Sequence, residues 1–144
     1  MFKMLFSPSQ DSAFTNLALL ILRLWLGSAM FLDHGFDKLV NFKSIAANFP
    51  DPLHIGQSVS LALVMFAEVV GSFMLIIGVL TRLGALMLVI DMFVAFLLVH
   101  QSVLTGKNNG ELAFIYLAGF VMLLIAGGGM ISLDMVLFGK SKKN

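Results

Sequence analysis

Four apolar segments constrain this sequence more than any other feature, because each is long enough to cross a lipid bilayer as a helix. A membrane helix needs about 20 mostly apolar residues to cross the hydrocarbon layer. The segments span residues 14–32, 58–80, 83–99 and 111–127. Charged residues form only 12% of the chain, well below the ~25% that is typical of soluble domains. The sequence therefore predicts an integral membrane protein and excludes a soluble enzyme or a nucleic-acid-binding protein.

The pattern within the four segments predicts helices rather than barrel strands. The apolar runs are continuous and not alternating, and four strands cannot close a barrel. Thr81 and Arg82 are the whole connection between the second and third segments, so these two helices must form an antiparallel hairpin. The predicted fold is all-α, with residues 1–144 forming one transmembrane domain that is a four-helix bundle.

The first connection between segments, from Asp33 to Gln57, carries its own helical pattern. Its apolar residues recur at spacings of three and four, as in an amphipathic helix that lies in the membrane interface. They are Phe36, Leu39, Val40, Ile45, Ala46 and Phe49. Pro50-Asp51-Pro52 should end this helix, because proline lacks an amide hydrogen and disfavours helix before it.

The distribution of lysine and arginine predicts the orientation of the bundle. With both termini on one side, that side carries five basic residues and the other side three. The five are Lys3, Arg82, Lys140, Lys142 and Lys143; the three are Lys38, Lys43 and Lys107. Since basic residues are retained in the cytoplasm, the termini are expected to be cytoplasmic and the first connection to face outward.

Three ionisable residues interrupt the apolar segments at similar depths. Counted from the predicted outer ends of their segments, Arg23, Glu68 and Asp91 lie 11, 10 and 9 residues deep, which places them within roughly 3 Å of one layer. Each costs about 3 kcal/mol to insert, so each should face protein or water. The cluster is either a structural ion pair or a site for proton relay or polar-ligand binding, in which two carboxylates share one proton.

A second group of polar residues is expected at the outer ends of the segments, with His34, His100 and Glu111 as further candidates for ligand binding or proton relay. Two histidines can ligate a haem or a metal ion. Ideal helix geometry, however, puts His100 about 180° around the helix from Asp91, which disfavours a shared site. No metal site is predicted and haem is disfavoured. The chain has no cysteine, which excludes thiol catalysis and iron–sulfur ligation.

Blocks of residues along most of the chain resemble one known family. The first is Leu22-Arg23-Leu24, Gly27, His34-Gly35-Phe36 and Lys38-Leu39; the second is Ala67-Glu68, Gly71, Gly78-Val79-Leu80-Thr81-Arg82 and Ala85. The third is Met92, Ala95 and His100; the fourth is Gly110-Glu111-Leu112, Gly127, Gly129 and Ser132-Leu133-Asp134. In this order and spacing they are similar to the DoxX family of small four-span membrane proteins. Asp91 departs from the pattern, which has an apolar residue there, and Met130 stands where the family often has arginine.

The resemblance implies a multi-pass protein of the plasma (inner) membrane. Relatives include the DoxD subunit of an archaeal thiosulfate:quinone oxidoreductase, and others are linked to oxidative stress and to detoxification of quinones or catechols. We therefore expect a membrane redox protein that binds a quinone or a similar lipid-phase redox molecule, as a subunit or partner of an oxidoreductase. Its catalytic residues are not assigned. A proton-coupled transporter or exporter, or a structural scaffold, is the alternative, and a homo-oligomer is compatible with either.

Overall fold

The computed structural model describes residues 12–139, and every regular element within this range is helical. The first helix, α1, consists of an α-helical part at Ser12–Ala29, a π-helical turn at Met30–Gly35 and a last α-helical stretch at Phe36–Val40. A short helix, α2, follows at Phe42–Ala46.

The next two helices form the predicted antiparallel hairpin, but the link consists of residues 78–80, and Thr81 and Arg82, which were predicted to be the link, begin the second of these helices. Helix α3 has α-helical parts at Gln57–Phe66 and Ser72–Ile77, separated by a π-helical turn at Ala67–Gly71. Helix α4 runs over Thr81–Val94 and ends in a π-helical turn at Ala95–Val99.

Two further helices complete the described part of the chain, α5 at Glu111–Ala126 and α6 at Leu133–Phe138. Helices α1, α3 and α4 are long and apolar enough to cross a membrane, and α5 is a shorter apolar helix of 16 residues. At 1.5 Å per residue α5 is ~24 Å long. The predicted all-α membrane bundle is confirmed.

The outer end of α1 differs from the sequence prediction. The helix does not end at residue 32 but continues to Val40. The amphipathic helix expected in the first connection is present as two pieces, the end of α1 and the short α2, which are separated by a break at Asn41. The chain leaves the helical conformation before Pro50, as predicted.

Glycine contacts fix how the long helices pack. A Cβ atom added to Gly35 in α1 would lie 3.2 Å from the backbone nitrogen of Val69 in α3, and one added to Gly84 in α4 would lie 2.9 Å from the carbonyl oxygen of Gly71. The missing side chains therefore let α1 and α4 approach the backbone of α3 closely. The core of the bundle is filled by fully buried apolar side chains: Met30, Leu75, Leu88, Phe120 and Leu123.

Large apolar side chains also cover the outside of the bundle. Trp25 is 75% exposed and Ile125 is 69% exposed. Such a surface is unfavourable in water, because apolar area costs free energy in proportion to its extent. It is the surface expected of a protein whose solvent is the hydrocarbon interior of a bilayer, and we conclude that this surface contacts lipid.

The connection after α5 closes the end of the bundle that lies opposite the first connection. Ser132 accepts a hydrogen bond from the Met135 backbone nitrogen at 3.3 Å and thereby caps α6. The Asp134 carboxylate accepts hydrogen bonds from the backbone nitrogens of Leu80 and Thr81 and so caps α4. Lys3, Lys140, Lys142 and Lys143, which entered the orientation argument, lie outside the described residues.

Candidate functional site

A cavity of about 480 Å³ lies between α1, α3, α4 and α5, beneath the segment that follows α2. Its size falls within the range of small-molecule sites, roughly 300–1,000 Å³. Most of its walls are apolar, and they include Leu63, Val64 and Ile90. Pro50 and Leu53 line the side toward the first connection. We call the segment from Phe49 to Ile55 the roof.

An ion pair between α1 and α3 lines the cavity. Lys38 Nζ donates a hydrogen bond to Glu68 Oε1 at 2.8 Å, and the two side chains are only 15% and 3% exposed. The sequence places Lys38 among the basic residues of the first connection and gives no signal for this ion pair. Because α1 continues to Val40, Lys38 lies on a helix that packs against α3.

Asp91 of α4 lines the same cavity and interacts electrostatically with Glu68 and Lys38. The structure thus brings together the two carboxylates that the sequence places at one depth. Both residues are buried, at 2% exposed for Glu68 and 8% for Asp91. Glu68 Oε2 and Asp91 Oδ2 have no hydrogen-bond partner among the described residues. Two acids that line a cavity of ligand size therefore each carry a buried acceptor atom without a partner.

Each of the three π-helical turns lies at this site. The turn in α1 contains His34, the turn in α3 contains Glu68, and the turn in α4 immediately precedes His100. All three residues line the cavity. A π-helical turn inserts one residue into a helix and shifts the side chains around it, and such turns are frequent at functional sites. Helical periodicity in the sequence gives no signal for them.

Arg23 does not belong to this site, and the predicted cluster of Arg23 with Glu68 and Asp91 is wrong. Its Nη1 and Nη2 atoms donate hydrogen bonds to the carbonyl oxygens of Gly128 and Ile131, each at 2.9 Å. The arginine is 2% exposed. It holds the segment after α5 against the end of the bundle.

The reason for this error is the length of α1. The sequence prediction took His34 as the outer end of the first span, but the adjacent Gly35 packs against Glu68 and Val69 in the middle of α3. Arg23 precedes Gly35 by 12 residues, which is ~18 Å along a helix. Consistent with that distance, Arg23 lies beside Gly78, which directly follows the end of α3. A Cβ atom added to Gly78 would lie 2.5 Å from Arg23 Nη1.

The other predicted candidates divide into two groups. His34 and His100 line the cavity, and the Nδ1 atom of His100 is buried with no hydrogen-bond partner among the described residues. Glu111 does not line it and pairs locally with Asn109. Tyr116 of α5, which was not among the predicted site residues, lines the cavity and makes an edge-on contact with His34 at 5.8 Å between ring centroids. A tyrosine in an apolar helix gives no distinctive sequence signal.

A family model described as DoxX matches residues 18–101, which is more than half of the chain. The chain belongs to the DoxX family. The matched region of this DoxX protein contains Lys38, Glu68 and Asp91, whereas Tyr116 lies beyond it.

Two proteins of Haemophilus influenzae, both described as uncharacterized, are similar to this DoxX protein over most of their length. One is 35% identical over 128 residues, covering 83% of each chain. The other is 31% identical over 123 residues, covering 77% of the DoxX chain and 84% of the relative. No solved structure matches the chain.

The roof of this DoxX protein is tied to α3 by one carboxylate. Asp51 accepts hydrogen bonds from the backbone nitrogens of Ile55 and Gly56, at 3.1 and 2.8 Å, and from the Ser60 hydroxyl at 2.7 Å. Chiefly through the Ser60 hydroxyl, these donors hold the pKa of Asp51 below its ordinary value, because they stabilise the charged form. Gly56 has φ +103°, a conformation that favours glycine.

Proposed function

We propose that this DoxX protein binds the headgroup of a quinone, or of a similar lipid-phase redox molecule, in the cavity beneath the roof. The observation that carries the proposal is the chemical division of this cavity. Its walls are largely apolar, whereas Lys38, Glu68 and Asp91 form a buried polar group. A quinone has the same two parts, because its ring carries polar oxygen atoms and its tail is apolar.

The polar group offers hydrogen-bonding partners for both oxidation states of such a molecule. Quinone carbonyls accept hydrogen bonds, and Lys38 and the Tyr116 hydroxyl are donors that line the cavity. Quinol hydroxyls donate, and Glu68 Oε2 and Asp91 Oδ2 are acceptors without a partner among the described residues. The carboxylates can also accept the protons that a quinol releases when it is oxidised.

We further propose that the protein works as a subunit or partner of a membrane oxidoreductase. Cysteine-ligated iron–sulfur clusters are excluded because the chain has no cysteine. Electrons would therefore pass to or from a partner subunit, or a cofactor, that has its own redox centre. In this proposal the protein lies in the plasma membrane with cytoplasmic termini, and the roof faces outward.

Quinone binding by the purified protein tests the proposal. Protein in lipid nanodiscs is titrated with a short-chain quinone, and lipid extracts of the preparation are analysed for a copurified quinone. Lys38→Met should weaken quinone binding by about tenfold, the loss expected for one charge-assisted hydrogen bond. In a parallel titration with the reduced quinol, Glu68→Gln should weaken binding to a similar extent, because the carboxylate accepts from the quinol hydroxyl. Asp37→Asn is the matched control, because Asp37 is an exposed acid that pairs with Asn41 outside the cavity. Absence of any saturable quinone binding would contradict the proposal.

A further inference from the structure

One of the two acids that line the cavity, Asp91, has no ion-pair partner among the described residues. Among residues 12–139, Glu68 and Asp91 are the acidic residues of its lining, and Lys38 is the one lysine or arginine there. Both acids are more than nine-tenths buried. A buried carboxylate is normally paired, because removing its charge from water is costly. Lys38 occupies only Glu68 Oε1, and no side chain within residues 12–139 forms an ion pair with Asp91.

None of the remaining polar side chains of the lining, His34 and His100 included, donates a hydrogen bond to Glu68 or Asp91 within residues 12–139. The Ser60 hydroxyl donates to Asp51, and the Asn109 amide interacts with Glu111. His34 lies edge-on to Tyr116. Glu68 Oε2 and Asp91 Oδ2 thus have no hydrogen-bond partner within residues 12–139, and the walls beside them are apolar.

We infer that the cavity binds amphipathic cations, with a protonated amine placed between Glu68 and Asp91 and an apolar body along the walls. A primary ammonium group provides three N–H donors and one positive charge. It can therefore donate to both carboxylates and supplies the ion-pair partner that Asp91 lacks. This ligand class is argued from the same cavity as the quinone, but it does not depend on a redox role.

The opposed roles of Lys38 make the inference specific. For a quinone, Lys38 is a hydrogen-bond donor and its loss weakens binding. For an ammonium ligand, Lys38 is a like charge that competes for Glu68, so its loss strengthens binding. Lys38→Met should thus lower the affinity for a quinone and raise the affinity for an amine, and each of these two results can be observed without the other.

The test compares two ligands of the same shape, 4-phenylbutylamine and 4-phenylbutan-1-ol, by calorimetric titration of the protein in nanodiscs of zwitterionic lipid. The amine should bind the unmodified protein about tenfold more tightly than the alcohol, because its hydrogen bonds to the carboxylates are charge-assisted. The double variant Glu68→Gln/Asp91→Asn should bind both ligands alike. Asp37→Asn should keep the full preference for the amine, because Asp37 lies outside the cavity.

Lys38→Met should bind the amine more tightly than the unmodified protein does, whereas Lys38→Arg, which keeps the charge, should not. Equal affinities of amine and alcohol for the unmodified protein would overturn the inference, as would a preference for the amine that survives Glu68→Gln/Asp91→Asn. A protein that binds the amine but no quinone would support this inference and contradict the redox proposal. The reverse result would support the redox proposal alone.

Discussion

Lys38 and Glu68 are 30 residues apart in the chain, yet their side chains meet at 2.8 Å between α1 and α3. The contact exists because the π-helical turn at Met30–Gly35 leads into another helical stretch, which places Lys38 against α3. A residue that the sequence assigns to the membrane surface is thereby the cation of the buried site.

Breaking this pair should destabilise the protein. Lys38→Met leaves the Glu68 carboxylate without its cation, and we expect the free energy of unfolding to fall by about 3 kcal/mol, as for other buried pairs that lose one member. Adding Glu68→Gln removes the unpaired charge and should recover most of the loss. Unfolding in mixed micelles measures both variants. Lys43→Met, at an exposed position of α2, is the control and should leave the stability unchanged.

Arg23 should act independently of the two acids. Arg23→Leu removes two hydrogen bonds to backbone carbonyls and should cost about 3 kcal/mol, because bonds from a charged donor contribute ~1.5–3 kcal/mol each. Combined with Glu68→Gln and Asp91→Asn, its effect should be additive, since distant sites without shared partners do not couple. A triple variant that loses less stability than the sum of the changes in Arg23→Leu and in Glu68→Gln/Asp91→Asn would instead place Arg23 with the acids.

The close approach of α3 and α4 should not tolerate a side chain at Gly84. An added Cβ atom would lie 2.9 Å from the Gly71 carbonyl oxygen and from Met74 Cβ, and a backbone oxygen within a helix cannot move aside. Gly84→Ala should therefore destabilise the bundle by about 1–3 kcal/mol. Leu83→Ala, next to it but on the exposed side of α4, provides the comparison, and a smaller loss for Gly84→Ala would contradict this packing.

The roof should loosen in acid. The pKa of Asp51 is lowered in the folded protein, so its contribution is fully present above the unfolded pKa of about 3.9 and is lost as the pH falls through the folded value. Thermal unfolding as a function of pH measures this contribution. Asp51→Asn should remove this part of the acid sensitivity. Ser60→Ala removes the strongest of the donors and should shift the loss to higher pH. If either variant had the same dependence of thermal stability on pH as the unmodified protein, the hydrogen bond between Ser60 and Asp51 would not stabilise the roof.

The two ends of the bundle should lie on opposite sides of the membrane. The chain has no native cysteine, so single cysteines introduced at Asn48, beside the roof, and at Val136, in α6, report without background. In whole cells an impermeant thiol reagent should label the first position, and the second should require permeabilised membranes. Labelling of both in intact cells would contradict the proposed arrangement.

The sequence alone determined the class of fold and the depth of the two acids. Long continuous apolar runs can satisfy their backbone groups in lipid only as helices, so the bundle followed from composition and length. Glu68 and Asp91 lie on helices joined by a very short link, and residues at equal distances from such a link face each other. Local spacing fixes that register, and the structure brings the two side chains together.

The tertiary structure decided which cation meets those acids and what surrounds them. The π-helical turns depend on packing rather than on periodicity, and the turn at Met30–Gly35 continues α1 to Val40, so that Lys38 approaches Glu68. Arg23 instead binds carbonyl groups of residues 128 and 131, more than 100 positions along the chain. A hydrogen bond to a backbone oxygen depends on chain geometry and not on residue type, and the sequence therefore contains no local signal for it.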